Sequence, residues 1–360
     1  MPISPDIQRP AQSPEELRAK FEPEVILRTD KIEIIAGKGN PKLAQKIAWL
    51  VGKDLNEPVT IFADGEKRLK TTQANLRKKG VFIIQSMQPS PDERLMEMYI
   101  MIDAVRRASA DDIAGVITYP AYMRQDQKDL SRVPISATVP PRILQMLGLN
   151  RMLSMELHTG AQQGFFDGPH DIVDSSFVTV PEISSRHLAN PIVAAADVGG
   201  TKRARNFSRL MGLGDRVIQG DKERDTGIEN ESKSHGVEGN VRGKDVIIVE
   251  DMIDTAGTLV DVAKALKQQG AESIRAVAPY GIFSTKIDPE TYQPISAIQR
   301  IIDSDIDEII TTNAIPAQPG VVESGKVTYV DIAPMLAEAI LCIHTGESIS
   351  ERLILPKPQH

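Results

Sequence analysis

The sequence predicts an α/β protein of two domains, each a mainly parallel sheet flanked by helices. Short β-branched runs such as Val246-Ile-Ile-Val249 recur along the chain, as strands buried on both faces require. Helical patterns separate these runs, and strands that alternate with helices imply parallel crossovers. At 360 residues the chain exceeds one comfortable core but suits two of ordinary size.

Residues 1–31 hold five of the 24 prolines and little periodicity outside 14–20, so they read as an extension beyond the core. A strand at 32–36 runs into Gly37 and Gly39, and a helix follows at 41–51 with proline in its first turn. The glycine pair makes neither a Walker A run nor a G-x-G-x-x-G, and reads as a tight βα turn. Residues 60–69 form two strand arms about Asp64-Gly65, the strongest short hairpin signal. A strand at 81–85 precedes a helix at 92–108 that carries Leu95, Met98, Ile102 and Val105 on one face. This unit echoes the later one at 246–270, with Gln85-Ser86 standing where Glu250-Asp251 stands, so the two halves read as related.

A strand at 113–119 leads into a polar loop at 120–134. The helix expected within 136–147 has Pro140-Pro141 as the start of its ordered part. A strand at 151–157 runs into His158, and a strand at 192–196 runs into the acid, glycine and base cluster from Asp197 to Arg205. After a short strand at 216–220 comes the most polar interior stretch, 221–235, a connection of a length that is either mobile or functional. Beyond 270 follow a strand at 275–279, an insertion at 285–294, a strand at 308–312, a helix at 332–344 and a tail at 352–360.

Hydrophobic residues at 41% and charged residues at 25% describe a globular protein, and a net charge of −7 argues against broad nucleic-acid binding. A single cysteine, Cys342, excludes an internal disulfide framework and a cysteine-rich zinc site. The N-terminus has no basic segment followed by an apolar one, and no run of about 18 apolar residues occurs. The expectation is a cytoplasmic protein that neither enters membranes nor binds nucleic acid.

The unit at 246–270 carries the most chemistry. Leu259, Val260, Val262, Ala263 and Leu266 recur at helical spacing, Gly270 is placed to end the helix, and Lys264 and Lys267 sit toward its negative end. Between strand and helix lies Glu250-Asp-Met-Ile-Asp-Thr-Ala-Gly-Thr258. Backbone N–H groups at a helix start attract phosphate, Thr255 and Thr258 add hydroxyl donors, and Gly257 admits close approach. Glu250 and Asp251 at the strand's carboxyl end can hold ribose hydroxyls or Mg²⁺. Phosphate donors beside carboxylates describe a sugar phosphate, although the same residues suit an ordinary βα loop with Asp254 or Thr255 as N-cap. His158 equally suits a satisfied loop residue, and Asp197 a capped helix start.

The run Val249–Thr258 closely resembles the ribose 5-phosphate loop of phosphoribosyltransferases and of their relatives, the ribose-phosphate pyrophosphokinases. Five further segments resemble the pyrophosphokinases in particular, and the similarity runs from about residue 33 to 351. Phe62, Asp64 and Glu66 are similar to the family's adenine-reaching loop, and Arg124-Gln125-Asp126 to its nucleotide segment. Glu156-Leu-His158 with Gln163-Gly-Phe-Phe166 resembles its metal-linked histidine segment, Asp197-Val-Gly-Gly200 its metal-linked acid, and Lys222-Glu-Arg224 its mobile catalytic loop.

The resemblance implies two phosphoribosyltransferase-like domains, at 32–176 and 177–331, with the C-terminal helix, 332–351, packing back on the first. It implies transfer of the β,γ-diphosphoryl group of ATP to the C1 hydroxyl of ribose 5-phosphate, with Mg²⁺ as cofactor. Lys222 and Arg224 would be catalytic; Phe62, Asp64, Glu66, Arg124, Gln125, Asp126 and His158 would bind ATP. Glu250, Asp251, Asp254, Thr255, Ala256, Gly257 and Thr258 would bind ribose 5-phosphate, and His158 and Asp197 would lie at the metal. It also implies a homo-oligomer built from dimers, up to a hexamer, in which Phe62, Asp64 and Glu66 complete a neighbour's site. Three residues depart from the family pattern: Glu250 and Glu156 replace aspartates, and Glu223 sets a negative charge between the two catalytic-type cations. Glu223 leaves open a non-catalytic regulatory homologue, and a phosphoribosyltransferase acting on a base is a third reading; retention of both Lys222 and Arg224 favours the enzyme.

Overall fold

A computed structural model describes residues 31–69, 75–224, 232–288 and 291–353, with the side chains of 221–224 and 232–238 outside that description. Nearly all of the expected N-terminal extension and most of the expected tail therefore lie outside the described residues.

The first sheet opens with β1 (Ile32–Ala36), whose run IEIIA is almost wholly buried. Helix α1 (Pro41–Leu50) begins where the Asn40 side chain accepts from the Leu43 N–H and proline occupies the first turn. Strands β2 (Val59–Ile61) and β3 (Lys67–Leu69) form the hairpin with Thr60 opposite Arg68, and Gly65 takes the left-handed conformation that its turn demands. Next come β4 (Gly80–Ser86), α2 (Pro91–Arg107), which buries Leu95, Met98, Ile102 and Val105, and β5 (Asp112–Tyr119). A 3₁₀ turn at Ser136–Thr138 leads into α3 (Val139–Leu147), with Pro140-Pro141 in the first turn, where a missing N–H has no intrahelical partner to lose. Strands β6 (Arg151–Met155) and β7 (His170–Val173) complete a parallel sheet of order β1-β4-β5-β6-β7.

The second half contains α4 (Ser176–Ser184), β8 (Pro191–Ala195), α5 (Thr201–Leu210), β9 (Val217–Arg224), β10 (Ser232–Glu238) and β11 (Asp245–Val249). It continues through β12 (Met252–Ile253), α6 (Gly257–Gln268), β13 (Ser273–Ala278), β14 (Tyr280–Gly281) and the small hairpin β15 (Thr285–Ile287) with β16 (Pro294–Ser296). Helix α7 (Ala297–Ile302), β17 (Glu308–Thr312) and β18 (Val327–Val330) follow. The sheet order is β10-β9-β8-β11-β13-β17-β18, parallel except for the β9–β10 pair. Alternate residues of β11 face opposite cores: Val246 and Ile248 pack with Leu259 and Leu266 of α6, while Ile247 and Val249 pack with Ile183 of α4 and Phe207 of α5.

Helix α8 (Ala333–Thr345) then returns to the first half, where Leu336, Ala339 and Ile340 join Ile47 and Ile83 in one core. Polar contacts fasten the same seam, with Asn40 Nδ2 donating to the Asn313 carbonyl at 2.7 Å and Thr118 Oγ1 to the Ala314 carbonyl at 2.8 Å.

Some elements differ from the sequence expectation. Residues 221–235, expected as a polar connection, instead carry the facing ends of an antiparallel pair, with Arg224 opposite Ser232, and only 225–231 lie outside the described residues. Strand β10 is an edge, and an edge strand tolerates the charges that hid it. The insertion at 285–294 is the β15–β16 hairpin, the strand expected at 151–157 ends at Met155, and β7, α4 and β18 were not anticipated.

Candidate active site

The loop after β11 is set by backbone bonds on its far side. Ile253 O accepts from Ile282 N at 2.9 Å and Phe283 N at 3.1 Å, and Asp254 O accepts from Ser284 N at 3.1 Å. Helix α6 begins at Gly257 behind Ala256, whose φ of 59° is left-handed and whose side chain caps nothing. The alternative N-cap at Asp254 or Thr255 is therefore not formed: the cap position falls at Ala256, which has no side-chain cap bond. Asp254 Oδ2 meets Arg124 Nη2 at 2.7 Å, whereas its buried Oδ1 has no partner.

Residues from the first half face this loop. His158 Nδ1 is hydrogen-bonded to Asp251 Oδ2, joining residues 93 apart in sequence. That bond, the larger influence, together with the nearby charges of Asp251 and Asp126, raises the imidazole above its ordinary value against the opposing effect of burial. Burial would raise the Asp251 carboxyl, but its bonds to His158 and the Met252 N–H, with the charges of Arg203 and His158, hold it below the usual carboxylate range. Asp251 is only 9% exposed, whereas the His158 side chain is 36% exposed, so the imidazole keeps an edge open to solvent.

The His158 segment is itself braced. Gln162 accepts from the His158 N–H at 3.2 Å and donates to the Met123 carbonyl at 2.5 Å, while Thr159 Oγ1 donates to Asp126. Gln125 accepts from Ser136 Oγ at 2.6 Å, and Arg124, exposed, lays its Nε 3.1 Å from Met252 Sδ. Arg124, Asp126, His158, Asp251 and Asp254 thus gather along the seam between the two sheets.

Asp197 caps the turn into α5, accepting from the Gly200 N–H at 2.8 Å. Helix α5 brings Arg203 Nε to 3.5 Å from Glu156 Oε2, and Ser175 donates to Oε1 of the same carboxylate through its N–H at 3.1 Å and its hydroxyl. Burial and the neighbouring Asp174 push the Glu156 carboxyl up. The Glu156 backbone is fixed from the other half by the Tyr280 hydroxyl, which donates to its carbonyl at 2.7 Å.

Two groups of expected residues stand outside this gathering. Phe62, Asp64 and Glu66 remain at the hairpin tip, where Arg68 lies 5.7 Å over the Phe62 ring and Asp64 accepts from the Glu66 N–H at 3.0 Å. Among the described residues no bond or ring contact joins them to Arg124, His158 or the 254–258 loop, and Phe62 is 48% exposed. Lys222 and Arg224 lie on β9, opposite Ser234 and Ser232, and their side chains lie outside the described residues.

Residue-by-residue reading had not singled out Arg203, Thr159, Gln162 or Arg300. Arg203 had a signal in the basic run after Gly200, whereas Arg300 comes from α7, 45 residues beyond the Thr255 carbonyl to which it donates at 3.1 Å. Among the described residues no three His, Cys, Asp or Glu side chains converge as a metal cage. One or two carboxylates, such as Asp197 or Asp251, would fit Mg²⁺, because that ion keeps several waters and takes few protein ligands.

Residues 32–148 match the N-terminal domain of ribose phosphate pyrophosphokinase, and residues 229–353 match the phosphoribosyl synthetase-associated domain. The chain is 39% identical over 318 residues to the ribose-phosphate pyrophosphokinase of Helicobacter pylori, covering 88% of this chain and 94% of that protein. It is 40% identical over 321 residues to the enzyme of that name from Shewanella oneidensis, covering 89% and 98%. The crystal structure of phosphoribosylpyrophosphate synthetase from Mycobacterium smegmatis superimposes with a TM-score of 0.78 at 30% identity, covering 88% of this chain and all of that one.

Proposed function

The chain belongs to the ribose-phosphate pyrophosphokinase family, and from that premise we propose how its residues transfer the β,γ-diphosphoryl group of ATP to the C1 hydroxyl of ribose 5-phosphate, releasing AMP. The observation that carries this reading is the uncapped mouth of α6 facing Arg124 and His158 across the seam. A phosphate at that mouth leaves the sugar's C1 end toward the first half, where Arg124, Gln125 and Asp126 would hold the nucleotide.

In this proposal Thr255, Ala256, Gly257 and Thr258 seat the 5-phosphate, while Glu250, Asp251 and Asp254 hold the ribose side. The C1 hydroxyl approaches the β-phosphorus in line, and the protein contributes mainly position and charge. Lys222 and Arg224 would meet the negative charge that builds as the β,γ-diphosphoryl group leaves AMP. His158, fixed by Asp251 and Gln162, keeps its Nε2 edge for the nucleotide's phosphates or the metal's water shell. Bound Mg²⁺, held near Asp197 and His158, would neutralise phosphate charge. Phe62, Asp64 and Glu66 would reach the adenine of a neighbouring protomer in a dimer-based homo-oligomer, and a cytoplasmic setting belongs to the same proposal. Domain limits at 176/177 and 331/332 are likewise proposed.

Purified protein mixed with ATP, Mg²⁺ and ribose 5-phosphate should produce AMP, and only when all three are present. ADP as the product would make it a simple kinase. No turnover at all would favour the non-catalytic regulatory homologue, a reading that the relatives' shared enzyme name argues against.

A further inference from the structure

We propose that Arg300 is a positioning residue for ribose 5-phosphate, holding the Thr255–Ala256 peptide in the one orientation that turns its N–H toward the substrate phosphate. This rests on the proposed seating of the 5-phosphate at 254–258. A cradle of successive N–H groups works only if the carbonyls between them point away, since one flipped peptide would set an oxygen against the anion. Thr255 O is the carbonyl at risk, because the following residue, Ala256, is a non-glycine held at φ 59°, a conformation that L-residues avoid. The cap residue Ala256 makes no side-chain bond, and Asp254 turns its Oδ2 to Arg124.

Arg300 fixes it from behind. Its Nη1 donates to Thr255 O at 3.1 Å, a charge-assisted bond that also polarises the peptide and strengthens the opposite N–H as a donor. Helix α7 is anchored for this purpose by Ala297 and Ile301, both fully buried one turn apart against the core beneath α6. Gly257 belongs to the same arrangement: a Cβ there would lie 3.3 Å from Arg300 Nη1, so the guanidinium sits as close beneath the loop as a bare backbone allows. A second positive charge near the mouth of α6 adds to the pull on a dianionic phosphate.

The test compares Arg300→Gln with the intact enzyme, measuring KM for each substrate, kcat at saturation and the thermal midpoint. Arg300→Gln should raise KM for ribose 5-phosphate by about 10- to 30-fold while KM for ATP changes by less than about twofold and kcat by less than about threefold. Millimolar methylguanidinium added to Arg300→Ala should restore part of the ribose 5-phosphate affinity, which a residue serving only stability would not do. Equal rises in both KM values with a lowered midpoint, or no change in either, would overturn the proposal. Thr255→Val run alongside separates the two levels: if it too leaves ribose 5-phosphate affinity untouched, the seating itself is wrong, whereas a selective effect of Thr255→Val with a silent Arg300→Gln refutes only the role of Arg300.

Discussion

Asp254 joins the sugar-phosphate loop to the nucleotide segment through Arg124, and it keeps a second oxygen buried without a partner. Such an atom is costly unless a ligand meets it. Asp254→Ala or Thr255→Val should therefore raise KM for ribose 5-phosphate by about 5- to 160-fold, corresponding to about 1 to 3 kcal/mol, with a smaller effect on ATP. Steady-state kinetics with each substrate varied in turn checks this, and an equal effect on both would misplace the loop. Lys222→Ala should lower kcat by about 10² to 10³ while ATP binding weakens little, because its charge matters most as the diphosphoryl group leaves. Glu223→Arg should leave kcat unchanged or raised, since it removes a carboxylate from between two cations. The loop stood out in the sequence as ten consecutive residues, Val249 to Thr258, but the partner of Asp251 did not. A bond across 93 residues leaves no local pattern in a sequence, and the two strands that deliver it belong to different sheets.

Among the elements, β1 and α1 are joined by a turn with no room for a side chain at its two glycines, Gly37 and Gly39. A Cβ on Gly39 would stand 2.0 Å from the Ser86 carbonyl oxygen and 2.7 Å from Gln85 Oε1, and the Gln85 side chain is held by its buried bond to Glu97. Gly39→Ala should cost about 3 kcal/mol or more, read as a lowered denaturation midpoint. Gln85 and Ser86 stand where Glu250 and Asp251 stand in the other half, and the Gln85 side chain fills the space at its strand end instead of leaving a seat. A different tie joins the turn after α4 to β17: Arg186 donates to Glu308 through Nε at 3.0 Å and Nη2 at 2.6 Å. Burial opposes ionisation of Glu308, but its bonds to Arg186 and Thr328 outweigh that and hold the carboxyl below its ordinary range. Its contribution is present above the ordinary carboxylate value and is lost as pH falls through the depressed one. Glu308→Gln should lower stability near neutrality and flatten its decline below about pH 4. Elements with apolar runs or turn glycines were readable in advance. Strands β7 and β18 were not, because four residues between stronger neighbours carry too little pattern, and β9–β10 hid behind edge charges.

For the whole molecule, the hairpin tip makes no bond to the seam within one chain among the described residues, and under the proposed function a second copy would complete the site. Mixing two inactive variants, Phe62→Ala and Lys222→Ala, should restore about a quarter of the normal activity once protomers exchange: half of the dimers are then mixed, and one of their two sites is whole. No recovery after exchange would place Phe62 in its own protomer's site or in none. Helix α8 carries a consequence of another kind. It supplies Leu336, Ala339 and Ile340 to the core built around β1 and α1, so β1 waits for residues made long after it before its cover is complete. During synthesis the first half must persist with an apolar face open while the whole second half is made, a period in which chaperones have something to hold. A chain stopped at residue 331 would never close that face, and a premature stop there would yield aggregate in place of an enzyme with one helix fewer.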